Sequence, residues 1–269
     1  MELPEAYYLP LDGDIDGDTF ASTAATTSPW DLAMQHGGPP SALLARAIDR
    51  TTDDPAFTIA RLTVDMLGSI PQGRVRTEAE VVRPGRRVSM VAARLFVDER
   101  LAATATAWRV REDAESTRHL VEPAAELPPL PEDSATSYFE GVPPEWGYGP
   151  SVDWRFVEGG FSGAPTGRAR LWTRVRIPLV AGEETAPLHR LMVVADSANG
   201  VSARLPIQEW WSIPNTLTVT VERVPTEEWM WMDAATGISP HGRGVAHATM
   251  SDRDGVLAHV TQPLLVSRR

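Results

Sequence analysis

The sequence predicts an α+β chain of two tandem units, each a long helix wrapped by an antiparallel sheet, with the two sheets joined edge to edge. Three observations predict it. The order strand, long helix, four strands occurs twice. The segments RPGRRVSMVAARLFVDERLAATATAW and SPHGRGVAHATMSDRDGVLAHVTQPL align without a gap at an offset of 156, which pairs Pro84 with Pro240, Arg87 with Arg243 and Asp98 with Asp254. Residues 112–136, between the units, are rich in Pro and Glu and hold no sustained period, as a linker would. A repeat this long, present only twice, points to a duplicated domain and not to a solenoid. The expected units are 1–111 and 137–269, and joining their sheets protects the edges.

In the first unit, DTFASTAAT reads as a strand and PWDLAMQHGG as a loop. The helix of QHGGPPSALLARAIDR follows, with Leu43, Leu44, Ala47 and Ile48 on one face. Pro39 and Pro40 suit its first turn, where the missing N–H groups have no intrahelical partner. Four β-rich runs complete the unit: AFTIARLTVDML, GRVRTEAEVVR, RVSMVAARLFV and RLAATATAWRV. In the second unit, VDWRFVEG and GRARLWTRVRI are strands and TAPLHRLMVVADSANGVSARL is a helix. NTLTVTVERV, EWMWMDAATGI, GRGVAHATMSD and GVLAHVTQPLLV are the strands after it.

Composition narrows the function. A chain of 269 residues, 42% hydrophobic with mean hydropathy −0.20, can bury a sizeable core, and none of its apolar runs nears the length of a membrane span. The acidic start MELPEAYYLPLDGD lacks the pattern of a secretory signal, so a cytoplasmic location is expected. Without cysteine there is no disulfide or thiolate chemistry. Scattered histidines without ligand spacing argue against a metal, and no cofactor is expected. A net charge of −11 disfavours nucleic acid or an anionic membrane as partner, while a local basic patch could still bind a phosphorylated small molecule. No G-x-S-x-G elbow is present.

Two stretches stand out chemically. Gly37 and Gly38 are not needed to start a helix, so they imply close approach to the backbone or a positive φ. Helix-start N–H groups also favour a developing negative charge. Asp196, between LMVVA and SANGVSA, falls in a helix segment that a wrapping sheet would bury. A buried carboxylate needs hydrogen-bond partners or a task; capping a broken helix or pairing with Arg204 would also satisfy it. Gln262 falls on an inward position of the last strand, with Thr106 as its counterpart at the 156 offset, and its amide can donate to the carboxylate. Asn215 and Thr216 open a neighbouring strand. Together Asp, Gln and Asn or Thr can position a water for attack on a carbonyl.

The chain resembles the double-hotdog acyl-CoA thioesterases of the TesB type over nearly its whole length. The resemblance is carried by QHGGPPSALLARA, ADSANGVSA, NTLTVTVERVPTEEW, GRGVA and GVLAHVTQPLLV. It implies a tandem hotdog fold and hydrolysis of an acyl-CoA to a free acid and CoA. Asp196 and Gln262 match the family's water-holding acid and amide, and Asn215 or Thr216 stands where the family has a hydroxyl. His36, Gly37 and Gly38 match the turn that receives the thioester oxygen. Arg83, Arg86, Arg87 and Arg243, in or beside corresponding hairpin loops, are expected to contact CoA phosphates. Acyl-CoA is the expected partner, with a homo-oligomer left open. Two alternatives remain at this point: a non-catalytic acyl-CoA-binding hotdog protein, and an enoyl-CoA hydratase using Asp31 and His36, five residues apart.

Overall fold

The computed structural model describes residues 2–11, 17–52, 54–121, 123–132, 136–138, 141–162 and 165–269. Apolar residues recur at every second position in the β-rich runs, and these runs form one large, open antiparallel sheet. The first unit contributes β1 (Tyr8–Pro10), β2 (Thr19–Ser22), β3 (Phe57–Met66), β4 (Arg74–Arg83), β5 (Val88–Val97) and β6 (Arg100–Arg111). The second contributes β7 (Val152–Glu158), β8 (Arg168–Val175), β9 (Trp210–Pro214), β10 (Thr216–Val221), β11 (Met230–Ile238), β12 (Arg243–Asp252) and β13 (Gly255–Arg268). The strand order is β1-β2-β4-β5-β6-β3-β10-β13-β12-β11-β8-β7, with β9 added beside β13. The expected edge-to-edge joint is therefore β3 against β10. Thr63 faces Thr218 there, their hydroxyls 3.2 Å apart, while Leu62, Val64, Leu217 and Val219 point inward and are buried.

The repeat is real, but its register differs by one residue from the sequence alignment. Val97 faces Arg100 across one hairpin turn and Asp252 faces Gly255 across the other, a separation of 155 on both strands. A bulge follows Leu95 in the first hairpin and Met250 in the second, again 155 apart. Matching the Asp of DER to the second Asp of DRDG slipped the alignment by one, and in a strand one residue exchanges the two faces. The structural counterpart of Gln262 is thus the buried Ala107 and not the half-buried Thr106, and Arg87 and Arg243 are not equivalent.

Two helices lie together under the sheet. α1 (Gly38–Asp49) is buried along its whole length except at Asp49, and packs on α3 (Pro187–Ala195). A one-turn helix, α2 (Ala114–Thr117), and a 3₁₀ turn follow the first unit. The described residues of the expected linker beyond them have no regular structure, and residues 122 and 133–135 of that segment lie outside the described residues. Trp172 Nε1 donates to Pro128 O at 3.0 Å, which fastens the linker along β8. Near the N-terminus, Tyr7 N–H and Tyr8 N–H donate to Pro178 O and Leu179 O, so the first unit threads into the second. No helix among the described residues is long and apolar enough to cross a membrane.

The helix expected over 185–205 is broken. α3 stops at Ala195, Asp196 and Ser197 form a turn, and α4 (Ala198–Val201) resumes it briefly. Tyr148 OH donates to Val193 O and meets Ser197 Oγ, both at 2.8 Å, and gives the helix end partners outside the helix. β1 and β9 were not anticipated: the first has three residues, and WWSIP neither alternates nor avoids proline.

The far end of the helix pair is tied by charge. Arg46 binds Glu183 through two nitrogens (2.8 and 2.6 Å), and His189 Nε2 meets Asp49 Oδ2 at 2.8 Å, around a cavity of about 400 Å³. At the near end α1 begins hard against α3. A Cβ placed on Gly38 would lie 2.0 Å from Val193 O. Alanine is favoured over glycine in a helix by about 1 kcal/mol, yet here overpacking should win. Gly38→Ala is expected to lower stability by about 1–3 kcal/mol in urea unfolding, and an unchanged or raised midpoint would contradict the close approach.

Candidate active site

The break in α3 sets Asp196 where backbone N–H groups and side chains from four segments converge. Its Oδ1 accepts from Gln262 Nε2 at 2.8 Å, and the same nitrogen lies 3.1 Å from Asp196 O. Gln262 Oε1 accepts from Asn199 N–H at 3.1 Å, so both ends of the amide are used and its orientation is fixed. Gln262 is fully buried and Asp196 is 6% exposed. The other carboxylate oxygen, Oδ2, lies 3.3 Å from His36 Nδ1, and the Gly37 N–H also donates to this carboxylate.

His36 is held in place by its neighbours. It stacks on Tyr148 at 3.8 Å with the planes 8° apart, and its Nδ1 accepts the Gly38 N–H at 3.1 Å. Accepting there leaves the proton on Nε2 in the neutral ring. Burial lowers the His36 pKa to about 3, so the ring stays neutral. Burial also raises Asp196 to about 7, against the opposing pull of the Gln262 and Gly37 hydrogen bonds. Among the described residues no cation neutralises this acid, and Arg204, one of its expected partners, makes no ion pair with it.

The roof of the site is an open cavity of about 1230 Å³ between the two units. His36, Gly37, Asp196 and Asn199 line it, with Trp30 and Trp211 among its apolar walls. The expected set is only partly assembled. Asp196, Gln262 and His36 come together. Asn215 is on the cavity wall, but Thr216 lies on the outer face of the sheet, where its hydroxyl donates to Asp65 at 2.9 Å. Alternation along β10 requires this, because Leu217 points inward. Among the hydroxyls that line the cavity, that of Ser212 donates to Asn199 Oδ1 at 3.2 Å, while Asn199 Nδ2 donates to Ser212 O at 2.7 Å. Ser212 pairs with Val266 on β13 and so shares its inner face with Gln262. Ser212, Asn199 and Tyr148 were all missed in the sequence; the only signal was Ser212 just upstream of IPNT.

Gly37 and Gly38 have a packing explanation. A Cβ on Gly37 would lie 2.3 Å from Met66 Cε and 2.8 Å from Asp196 Oδ2, and Gly38 abuts Val193 O. Their N–H groups, expected to receive the thioester oxygen, are already bonded to Asp196 and His36. Arg83, Arg86, Arg87 and Arg243 are exposed and none lines the cavity; Arg83 donates to Val88 O at 3.1 Å within its own hairpin. Asp31 accepts from Ala33 N–H at 2.9 Å inside its own turn, whereas the acid that touches His36 is Asp196. That arrangement does not favour the Asp31–His36 hydratase reading. Among the described residues no group of three or more His, Asp or Glu is placed to hold a metal ion.

A sequence model of the acyl-CoA thioesterase C-terminal domain matches residues 124–266, and one of the N-terminal domain matches residues 26–110. No curated protein matches the sequence. Several solved structures are similar in fold. A candidate thioesterase II from Thermobifida fusca shares 19% identity at TM-score 0.71, covering 98% of this chain and 96% of that one. A hot dog fold protein of unknown function from Alicyclobacillus acidocaldarius shares 18% at TM-score 0.70, covering 95% of each chain. The acyl-CoA thioesterase II TesB2 from Mycobacterium marinum shares 14% at TM-score 0.67, covering 95% and 94%. At these identities the structural likeness speaks to the fold.

The raised pKa of Asp196 has a consequence for stability. Between pH of about 4 and about 7 the folded chain keeps a proton that the unfolded chain has released. The stabilisation is full below the unfolded value, declines as pH climbs, and is gone above about 7, a loss on the order of 4 kcal/mol. Asp196→Asn abolishes this titration. Its stability relative to the parent, measured by urea unfolding, should rise from pH 4 to pH 8; a difference independent of pH would refute the raised value.

Proposed function

The chain belongs to the acyl-CoA thioesterase family and is a thioester hydrolase, and we propose from that membership that Asp196 directs a water onto the thioester carbonyl. The observation that carries this reading is the Asp196–Gln262 bond on the floor of the large cavity. The ionised carboxylate takes a proton from the water as its oxygen bonds to the carbonyl carbon. The tetrahedral oxyanion then collapses, the C–S bond breaks, and the CoA sulfur leaves with the proton that Asp196 returns. A carboxyl with a pKa of about 7 is suited to both transfers.

Gln262 fixes the carboxylate, and Ser212, held by Asn199, supplies the hydroxyl to the water in place of Thr216. His36 Nε2–H is the donor to the thioester oxygen, because the Gly37 and Gly38 N–H groups serve Asp196 and His36. Tyr148 keeps the imidazole plane in that position.

The deciding experiment is thiol release from a panel of acyl-CoA thioesters. Asp196→Asn should cut kcat by roughly 100-fold or more, as positioned base catalysis contributes about 10²–10⁴-fold, with KM little changed. Gln262→Ala should act in the same direction, and the double variant should be little worse than the poorer single one. Ser212→Ala should slow turnover while Thr216→Val leaves it within about twofold, since a hydroxyl on the outer face takes no part in the transition state. The kcat/KM of the parent should rise with pH through about 7. Thiol release that survives Asp196→Asn and disappears in Asp31→Asn would move the chemistry to the other loop.

A further inference from the structure

All 25 cationic side chains of this protein are arginines, and most are engaged with carboxylates or aromatic rings. Two line the catalytic cavity. Arg168 is held by Asp233 at 3.5 Å and lies 4.0 Å from Glu158. Arg204 differs. Among the described residues it has no carboxylate within 4.0 Å, and its one bond is a long one from Nη1 to Thr166 O at 3.5 Å. Its side chain lies across the backbone of Gly167, whose φ is +78°. A Cβ on Gly167 would come within 2.7 Å of Arg204 Nη1 and 3.2 Å of its Cδ, so the glycine makes room for the guanidinium. The Gly167 N–H donates to Ala203 O at 3.1 Å and fixes the two segments together. The result is an exposed cation, braced but without a partner anion, on the rim of a cavity in a protein of net charge −11.

We propose that Arg204 is the anion anchor of this cavity and binds a phosphate of the coenzyme A moiety, with the acyl chain directed to the apolar lining at Trp30 and Trp211. The proposal rests on the thioesterase reading. The guanidinium matches phosphate oxygens in a planar fork, and its delocalised charge is weakly hydrated, which favours this use at a rim. Arg168 assists electrostatically but is already compensated. The Trp30 and Trp211 rings, 5.6 Å apart on the cavity lining, offer an apolar surface of the kind an acyl chain needs. Because the phosphate lies remote from the reacting carbonyl, Arg204 contributes to binding and leaves the chemical step alone.

The test compares Arg204→Ala with the parent on three thioesters: an acyl-CoA, the same acyl group on N-acetylcysteamine, and an ω-carboxyacyl N-acetylcysteamine. The expected result is a KM about tenfold higher for the acyl-CoA, kcat within about twofold, and no change on the two small thioesters. Added salt should raise the parent's KM for acyl-CoA more than the variant's. A KM that rises equally on all three, or on none, overturns the proposal. A rise confined to the ω-carboxyacyl thioester also overturns it, and makes the anion an acyl carboxylate. Titration calorimetry with CoA alone separates this from the thioesterase reading. If the parent cleaves no thioester, an approximately tenfold weaker CoA affinity in the variant still supports the anchor, and an equal affinity refutes it.

Discussion

The close approach of the start of α1 to the backbone of α3 is the constraint on which the candidate site depends. Gly38 has to lack a side chain for the Val193 carbonyl to come so near, and Gly37 has to lack one for the Asp196 carboxylate and the Met66 methyl to fit. Once the helices meet at that distance, the Gly37 N–H reaches the acid and the Gly38 N–H reaches His36. Two donors at a helix start thereby set the charge of one group and the tautomer of another. The glycines shape the candidate site by way of packing, through the groups their N–H donors hold.

The same contact explains why the acid is poised and not merely buried. Desolvation alone would keep Asp196 protonated, and full hydrogen bonding would keep it ionised. Gln262 and Gly37 supply part of the compensation and no cation among the described residues supplies the rest, so the pKa is left at about 7. His36 cannot share the load as an imidazolium, because its own surroundings hold it neutral. A buried acid left short of one partner is what base chemistry at neutral pH asks for.

Much of the fold was legible because period-two alternation survives in β3 to β6 and β10 to β13, where one face of the sheet lies on the helices. The repeat was legible through its hairpins, but not its register: a turn tolerates a one-residue shift in sequence that a ladder does not. The break in α3 was open in the sequence only as one of two structural readings of Asp196, since LMVVADSANGVSA keeps a helical pattern through it and the side chain that bonds the helix end, Tyr148, is about 50 residues away. At the site, Asp196 and Gln262 could be found as polar residues on apolar faces. Ser212 could not, because it stands on β9, a strand whose existence depends on pairing with β13. The four loop arginines lie away from the cavity lining for a related reason: position in equivalent loops says nothing about which loop overhangs a cavity.

The ion pairs at the far end of the helices have a meaning for how such a protein changes. In an assembly of two identical hotdog subunits every substitution is made twice, and a residue that improved one pocket would alter its mate in the same stroke. A tandem chain removes that coupling. Arg46, Glu183, His189 and Asp49 occupy the end related by the internal two-fold, where they clamp the units together. The position matching the buried Gln262 is an alanine, Ala107. Each end of the molecule is thus free to drift on its own, one keeping the Asp196–Gln262 pair and the other a set of ion pairs.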